Sequence, residues 1–262
     1  MSKITVAVGQ IDIDLAQPET NYARVHEMTV AAARAGADVV VFPEMWNTGY
    51  ALKQLPDLAD LNGQRTLHQL RTDAKEFGIN IVGGSVATAR DGKFYNTTYV
   101  VNSAGQLVGS YDKVHLFGLM DEGQYITAGD RGNAFDLAGV ASASAICYDL
   151  RFPEWLRTIS RHGAQVLYLP AEWPDVRIPQ WEALLRARAI ENQQFVVAVN
   201  RVGHDDGNRF NGHSLVVDPL GRVLINAGEQ ANLTFAQLDL DEAVKVRGPI
   251  PVFKDRRPSL YR

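Results

Sequence analysis

Gly36-Ala-Asp-Val-Val-Val-Phe-Pro-Glu44 returns later in the chain as Gly163-Ala-Gln-Val-Leu-Tyr-Leu-Pro-Ala-Glu172. Each version opens on a glycine, the residue that most readily takes the left-handed stop of a helix. Each continues as an unbroken apolar run, the mark of a strand covered on both faces, as in a parallel sheet. Each closes on a proline and an acid. The repetition predicts an internal duplication, with one helix-to-strand unit in each half.

The flanking sequence extends the repeat. Ile4–Gln10 reads as a buried strand, and residues 18–35 as a helix with Val25, Met28 and Ala32 on one face. After Glu44, Leu67, Leu70, Ala74 and Phe77 mark a second helix closed by Gly78, and residues 79–86 read as a strand. Residues 95–101 and 106–111 form a hairpin across Asn102-Ser-Ala-Gly105. The second half repeats the order: a strand over 140–147, a helix over 153–162, a strand over 164–169, a helix over 179–192 and a strand over 194–199. A hairpin follows, 213–217 and 222–226 around Asp218-Pro-Leu-Gly221. Each unit is then a sheet with helices on one face. Packing the two bare faces together gives a four-layer αββα sandwich. The alternative is two separate α/β domains, but no flexible linker lies between 111 and 140. The expected organisation is a single domain over 1–262, with 247–262 an extended, proline-spaced tail packed on a partner subunit.

The chain has 262 residues, 46% apolar and 21% charged, with net charge −4. That fills a large core, and nothing in it marks a nucleic-acid or membrane partner. A single cysteine excludes an intrachain disulfide framework. Residues 1–5 enter a strand pattern directly, without a signal peptide, so a cytoplasmic location is expected. The histidines show no metal-ligand spacing, and no metal or cofactor is expected. Neither Gly83-Gly-Ser-Val-Ala87 nor Gly212-His-Ser-Leu-Val216 completes a serine nucleophile elbow. No strand is followed by a nucleotide-binding glycine pattern.

In open α/β sheets the chemistry gathers beyond the carboxyl ends of strands. Cys147, Glu44 and Glu172 all fall there. Cys147 lies where a strand hands over to a helix opened by Pro153, so backbone N–H groups face its sulfur. Lys113 ends the first hairpin in Tyr111-Asp-Lys-Val-His-Leu-Phe117, and Glu122 follows shortly after. Any one of these alone is ordinary: a buried inert thiol, a surface lysine, a solvated loop acid.

Together they resemble the signatures of the nitrilase (carbon–nitrogen hydrolase) superfamily, over nearly the whole chain. Phe42-Pro-Glu44 matches the glutamate motif, Tyr111–Phe117 the lysine motif and Ile146-Cys-Tyr-Asp-Leu-Arg-Phe-Pro-Glu154 the cysteine motif. Cys147–Arg151, Gln180–Gln193 and Pro249–Tyr261 are similar to the omega-amidase branch, whereas nitrilases proper tend to carry Trp-Glu after the cysteine. The resemblance implies Cys147 as nucleophile, Glu44 as general base and Lys113 as oxyanion stabiliser. It further implies hydrolysis of a monoamide of a dicarboxylate, such as 2-oxoglutaramate, with release of ammonia, and at least a homodimer.

The chemistry makes its own demand. Glu titrates near ~4.3 and Cys near ~8.5, so moving the thiol proton to Glu44 costs roughly 6 kcal/mol. Burial and a second carboxylate, assigned to Glu122, are expected to raise Glu44. Lys113 is expected to lower Cys147. The backbone N–H of Tyr148 joins Lys113 at the oxyanion. Arg151 either pairs with Asp149 or Glu154 or clamps a substrate carboxylate. Trp173 either walls the pocket or fills core. Glu172 supports Lys113 or faces solvent, and Arg186, Arg188 and Glu191 form a helix-face charge network. Other readings are an N-carbamoyl or aliphatic amidase, or a silent binding or thiol-sensing module.

Overall fold

The Gly36–Glu44 run becomes the strand Val39–Val41, which lies between two parallel neighbours, Lys3–Gln10 and Asn80–Val82. Its side chains divide as the pleat requires. Val39 and Val41 point into one apolar layer, and Val40 points into another. The computed structural model describes residues 3–205 and 207–261.

The first sheet has eight strands. Beyond those three it holds Lys93–Val101, Val86–Arg90, Asp60–Leu61 and Leu107–Asp112, with Asn232–Asp239 at the far edge. The second sheet has six, in the order Val223–Asn226, Leu215–Val217, Phe195–Asn200, Val166–Ala171, Val140–Ser144 and Phe135–Leu137. Val6, Val8 and Val39 from the first meet Val166, Tyr168 and Val197 from the second in one buried layer. Outside the first sheet, helices Pro18–Arg34 and Gln64–Phe77 bury Tyr22, Val25, Leu70 and Ala74 against Val40 and Ile81. Outside the second, helices Pro153–Ser160 and Ile178–Asn192 bury Leu156, Trp181 and Leu185 against Leu167 and Val196. This is the expected αββα sandwich.

Two expectations need correction. The strand expected over 79–86 breaks at Gly83-Gly84-Ser85. Gly84 has φ +60°, and a Cβ there would lie 2.0 Å from the carbonyl oxygen of Pro43. Ser85 donates its N–H to that oxygen and accepts from the N–H of Met45 through its hydroxyl. The break is a cradle for the turn that carries Glu44. Next, the strand expected over 140–147 ends at Ser144, and Cys147–Arg151 form a 3₁₀ turn.

Ahead of the 247–262 segment the chain adds two further elements. Asn232–Asp239 pairs antiparallel with Lys3–Gln10 along its whole length, and a helix runs over Leu240–Arg247. From there the chain turns back on its own body. Gln193 donates from its amide to the carbonyl of Ile250, and Phe253 lies under the guanidinium groups of Arg157 and Arg247. Residue 262, part of the expected tail, lies outside the described residues. Among those residues no helix is long and apolar enough to cross a membrane.

Candidate active site

The two halves of the repeat meet at their acids. The backbone N–H of Glu172 donates to Oε2 of Glu44 at 2.8 Å, and the N–H of Glu44 points back at the carbonyl of Ala171. Lys113 closes the group from the end of the first hairpin. Its ammonium donates to Glu44 Oε1 at 2.8 Å, to Glu122 Oε2 at 2.8 Å and to the Tyr50 hydroxyl at 3.0 Å. Asn96 bridges both carboxylates, reaching Glu44 at 2.8 Å and Glu122 at 3.2 Å. The N–H of Phe117 holds Glu122 Oε2 at 2.7 Å. Glu44, Lys113 and Glu122 are fully buried.

Cys147 completes the cluster. Its φ is +43°, an uncommon conformation for a residue with a Cβ. Asp149 holds it there. One carboxylate oxygen accepts the N–H of Ile146 at 2.9 Å and the Tyr111 hydroxyl at 2.7 Å. The other accepts from the backbone and ring of His115 at 3.1 and 2.7 Å. One acid thus ties the cysteine turn to the lysine segment. From the other side the Arg188 guanidinium donates twice to the carbonyl of Leu150, at 3.0 and 2.9 Å. The expected Arg188–Glu191 pair is present at 3.0 Å, while Arg186 donates to the carbonyl of Gly221.

The electrostatics differ from the expectation. Burial pushes Glu44 up, but Lys113, Tyr50 and the N–H of Glu172 together hold its carboxyl below the usual range. Burial pushes the Cys147 thiol well up, and the Glu44 charge adds to it against the pull of Lys113. Lys113 is lifted by Glu122 and Glu44 despite its own burial and stays protonated. The resting state is therefore thiol, carboxylate and ammonium. The gap between donor and base is wider than in free solution, because burial and the Glu44 charge raise the thiol while Lys113, Tyr50 and the Glu172 N–H hold the carboxyl down.

A cleft of about 310 Å³, counting its open mouth, leads to the sulfur. It is lined by Tyr148, Arg151 and Trp173, the three residues expected there, and by Tyr50, Phe117 and Arg177 among others. Arg151 pairs with neither Asp149 nor Glu154 among the described residues; its guanidinium lies 5.0 Å from the Trp173 ring. Trp173 is 3% exposed and does both things proposed for it, walling the cleft and packing on Trp181.

Glu172 neither supports Lys113 nor faces solvent. Its side chain is buried and meets Arg201 at 3.1 Å, with Oε1 left without a partner. Burial pushes it up to about 8, and Arg201 only partly offsets this. An acid whose folded pKa is raised adds stability below its unfolded value near ~4.3 and loses it as pH rises toward the folded one, at about 1.4 kcal/mol per unit. Thermal melts at pH 5 and 8.5 test this. The wild type is expected to lose more stability across that span than Glu172→Gln; parallel losses would contradict it.

Tyr50, Asn96, Asp149 and Arg177 were not singled out from sequence. Only Asp149 carried a usable signal, its place in the cysteine motif.

A thiol, a carboxylate and an ammonium thus converge at the foot of a cleft, where two stacked α/β sheets meet. Residues 5–247 match the carbon–nitrogen hydrolase family model, and the chain belongs to that family. It is 46% identical to the 2-oxoglutaramate amidase of Bacillus subtilis (strain 168), over 99% of this chain and 100% of that one. It is 32% identical to omega-amidase NIT2 of Mus musculus, over 100% and 98% of the two chains. Among solved structures it is similar to the CN-hydrolase superfamily protein XC1258 of Xanthomonas campestris, with TM-score 0.91, 29% identity and 98% of each chain covered.

Proposed function

We propose that this chain is an omega-amidase that hydrolyses the carboxamide of small dicarboxylate monoamides, 2-oxoglutaramate foremost, through a thioester on Cys147. The observation that carries this reading is the cleft itself. It has the Cys147–Lys113–Glu44 cluster at its foot and, on its wall, an Arg151 guanidinium without an acidic partner among the described residues. A free carboxylate on the substrate fits that fork. The aliphatic amidase reading does not require one; a carbamoyl amino acid also carries one, and a substrate panel separates it.

The proton inventory assigns the steps. Glu44 Oε1 already accepts from Lys113, Tyr50 and Asn96, whereas Oε2 holds one N–H and keeps capacity for a proton. As Cys147 Sγ bonds to the amide carbon, its proton passes to Glu44. Transfer concerted with attack avoids a resting thiolate beside two carboxylates. Glu44 then hands the proton to the amide nitrogen, the C–N bond breaks and ammonia leaves. Water gives a proton to Glu44 and attacks the thioester, with Glu122 helping to place it. The S–C bond breaks and the sulfur regains its proton. Of the three groups that Lys113 contacts, Tyr50 is the neutral one and so the least costly to give up. The developing oxyanion takes its place, joined by the N–H of Tyr148.

The same reading gives a single domain working as a cytoplasmic homodimer or larger homo-oligomer. A lone catalytic thiol stays reduced in that compartment, and no metal or cofactor takes part. Val244, Ile250 and Leu260 are exposed apolar side chains of the C-terminal region, which a second subunit would cover. A monomer by light scattering would contradict the assembly.

An ammonia-release panel on the purified protein tests the function: 2-oxoglutaramate, succinamate, glutamine, a carbamoyl amino acid and a nitrile. 2-Oxoglutaramate is expected to lead in kcat/KM. A lead for the nitrile or the carbamoyl compound would overturn the reading.

A further inference from the structure

We propose that Arg177, together with Arg151, reads position 2 of the substrate, favouring a 2-oxo group beside the carboxylate and rejecting a 2-ammonium group. This rests on the reading of the cleft as a site for dicarboxylate monoamides.

Arg151 and Arg177 both line the cleft that ends at Cys147. Arg177 is half-buried, and among the described residues its side chain makes no ion pair. Asp175, the acid on its own turn, faces Arg209 instead, at 3.8 Å. The two arginines are seated on one support. Arg151 lies against the Trp173 ring, and the indole N–H of Trp173 donates to the carbonyl of Arg177 at 2.8 Å. Arg177 also lies 5.7 Å from the ring of Phe117, whose backbone N–H holds Glu122. Side chains placed in this way lose less freedom on binding than solvated rim arginines would.

Two forks in one cleft exceed what a single carboxylate needs. A 2-oxo acid offers three oxygens in one plane, enough acceptors to engage both. A 2-amino acid puts an ammonium beside the same two cations, and like charges at close quarters in a cleft are costly. Glu172 lines the cleft but supplies little countercharge, because burial keeps its carboxyl largely protonated near neutrality. The inferred selectivity therefore separates a 2-oxo acid monoamide from the amino acid of the same length.

The test uses four amides of equal chain length: 2-oxoglutaramate, glutaramate, glutamine and pentanamide. For Arg177→Gln, kcat/KM is expected to fall about 10²-fold on 2-oxoglutaramate, chiefly through KM, and about tenfold on glutaramate. The loss on pentanamide should be smaller than on either acid, and glutamine should gain about tenfold relative to glutaramate. Arg177→Lys keeps the charge without the fork, so it should lose oxo selectivity and still reject glutamine. Equal losses on the oxo and deoxy acids, an unchanged glutamine ratio, or a matching loss on pentanamide would each overturn the assignment. The parent reading is judged on the wild type alone: a preference for pentanamide over both acids would sink it whatever Arg177 does.

Discussion

Cys147→Ala is expected to release no measurable ammonia from any amide, a loss of roughly 10⁴-fold or more, while folding as the wild type does. The activity half follows from the bond inventory, since without the sulfur no group on the cleft floor replaces it as nucleophile. Glu44 is held by donors on both oxygens, and Lys113 carries a proton that its acids keep in place. The folding half follows from what the sulfur touches. The turn at Cys147 is set by Asp149 and by Arg188 through the Leu150 carbonyl, neither of which contacts the side chain. Its φ of +43° strains alanine no more than cysteine. Deleting Sγ removes a weak contact to the Glu172 carbonyl at 3.9 Å and a thiol whose ionised form the site disfavours. A melting temperature near that of the wild type, with a binding isotherm for 2-oxoglutaramate intact, would complete the result. Hydrolysis at an undiminished rate would return the thiol to the sensing role that its sequence also permits.

The fold was legible because the Gly36–Glu44 run and its echo at Gly163–Glu172 each state helix end, buried strand and acid in local sequence. Period and turn chemistry act over a few residues, so they survive in the bare chain. Asn232–Asp239 was missed although Leu233, Phe235 and their neighbours alternate with polar residues. The duplication predicts no strand there, and its partner, Lys3–Gln10, lies at the opposite end of the chain. Gly83-Gly84 was absorbed into a strand because its purpose, a close approach by Pro43, comes from a different segment. The site divides the same way. Cys147, Lys113 and Glu44 sit in recognisable motifs at strand ends. Tyr50 and Asn96 have no local mark: one reads as a loop aromatic and the other as a polar strand residue. Only tertiary convergence brings both to Glu44. The direction of the Glu44 shift was misjudged for a related reason. Sequence shows that a lysine and two acids are present, but not that the ammonium contacts both at 2.8 Å.

Lys113→Met is expected to abolish turnover and, at pH 8, to cost about 3–5 kcal/mol of stability, the usual penalty for removing one partner of a buried ion pair. Glu44 and Glu122 would then face each other across the vacated space, with the Asn96 amide and the Tyr50 hydroxyl as their remaining shared donors. Two carboxylates so placed do not both stay ionised, and one takes up a proton. The sign of the pH dependence therefore changes. In the wild type the depressed Glu44 pKa contributes stability that is present above the unfolded value near ~4.3 and is lost as pH falls through the folded one. In the variant the raised acid contributes below its unfolded value and loses that contribution as pH rises. The stability deficit of Lys113→Met should thus be larger at pH 8 than at pH 5, as read by urea melts at both. The double variant Lys113→Met, Glu122→Gln removes one of the stranded charges, so it should recover much of the pH 8 deficit. It should remain inactive, because neither the oxyanion donor nor the group fixing Glu44 has returned, a loss of about 10³-fold or more in kcat. A single variant that melts with the wild type at pH 8 would show that Glu44 and Glu122 do not depend on this ammonium. An active double variant would remove Lys113 from the chemistry altogether.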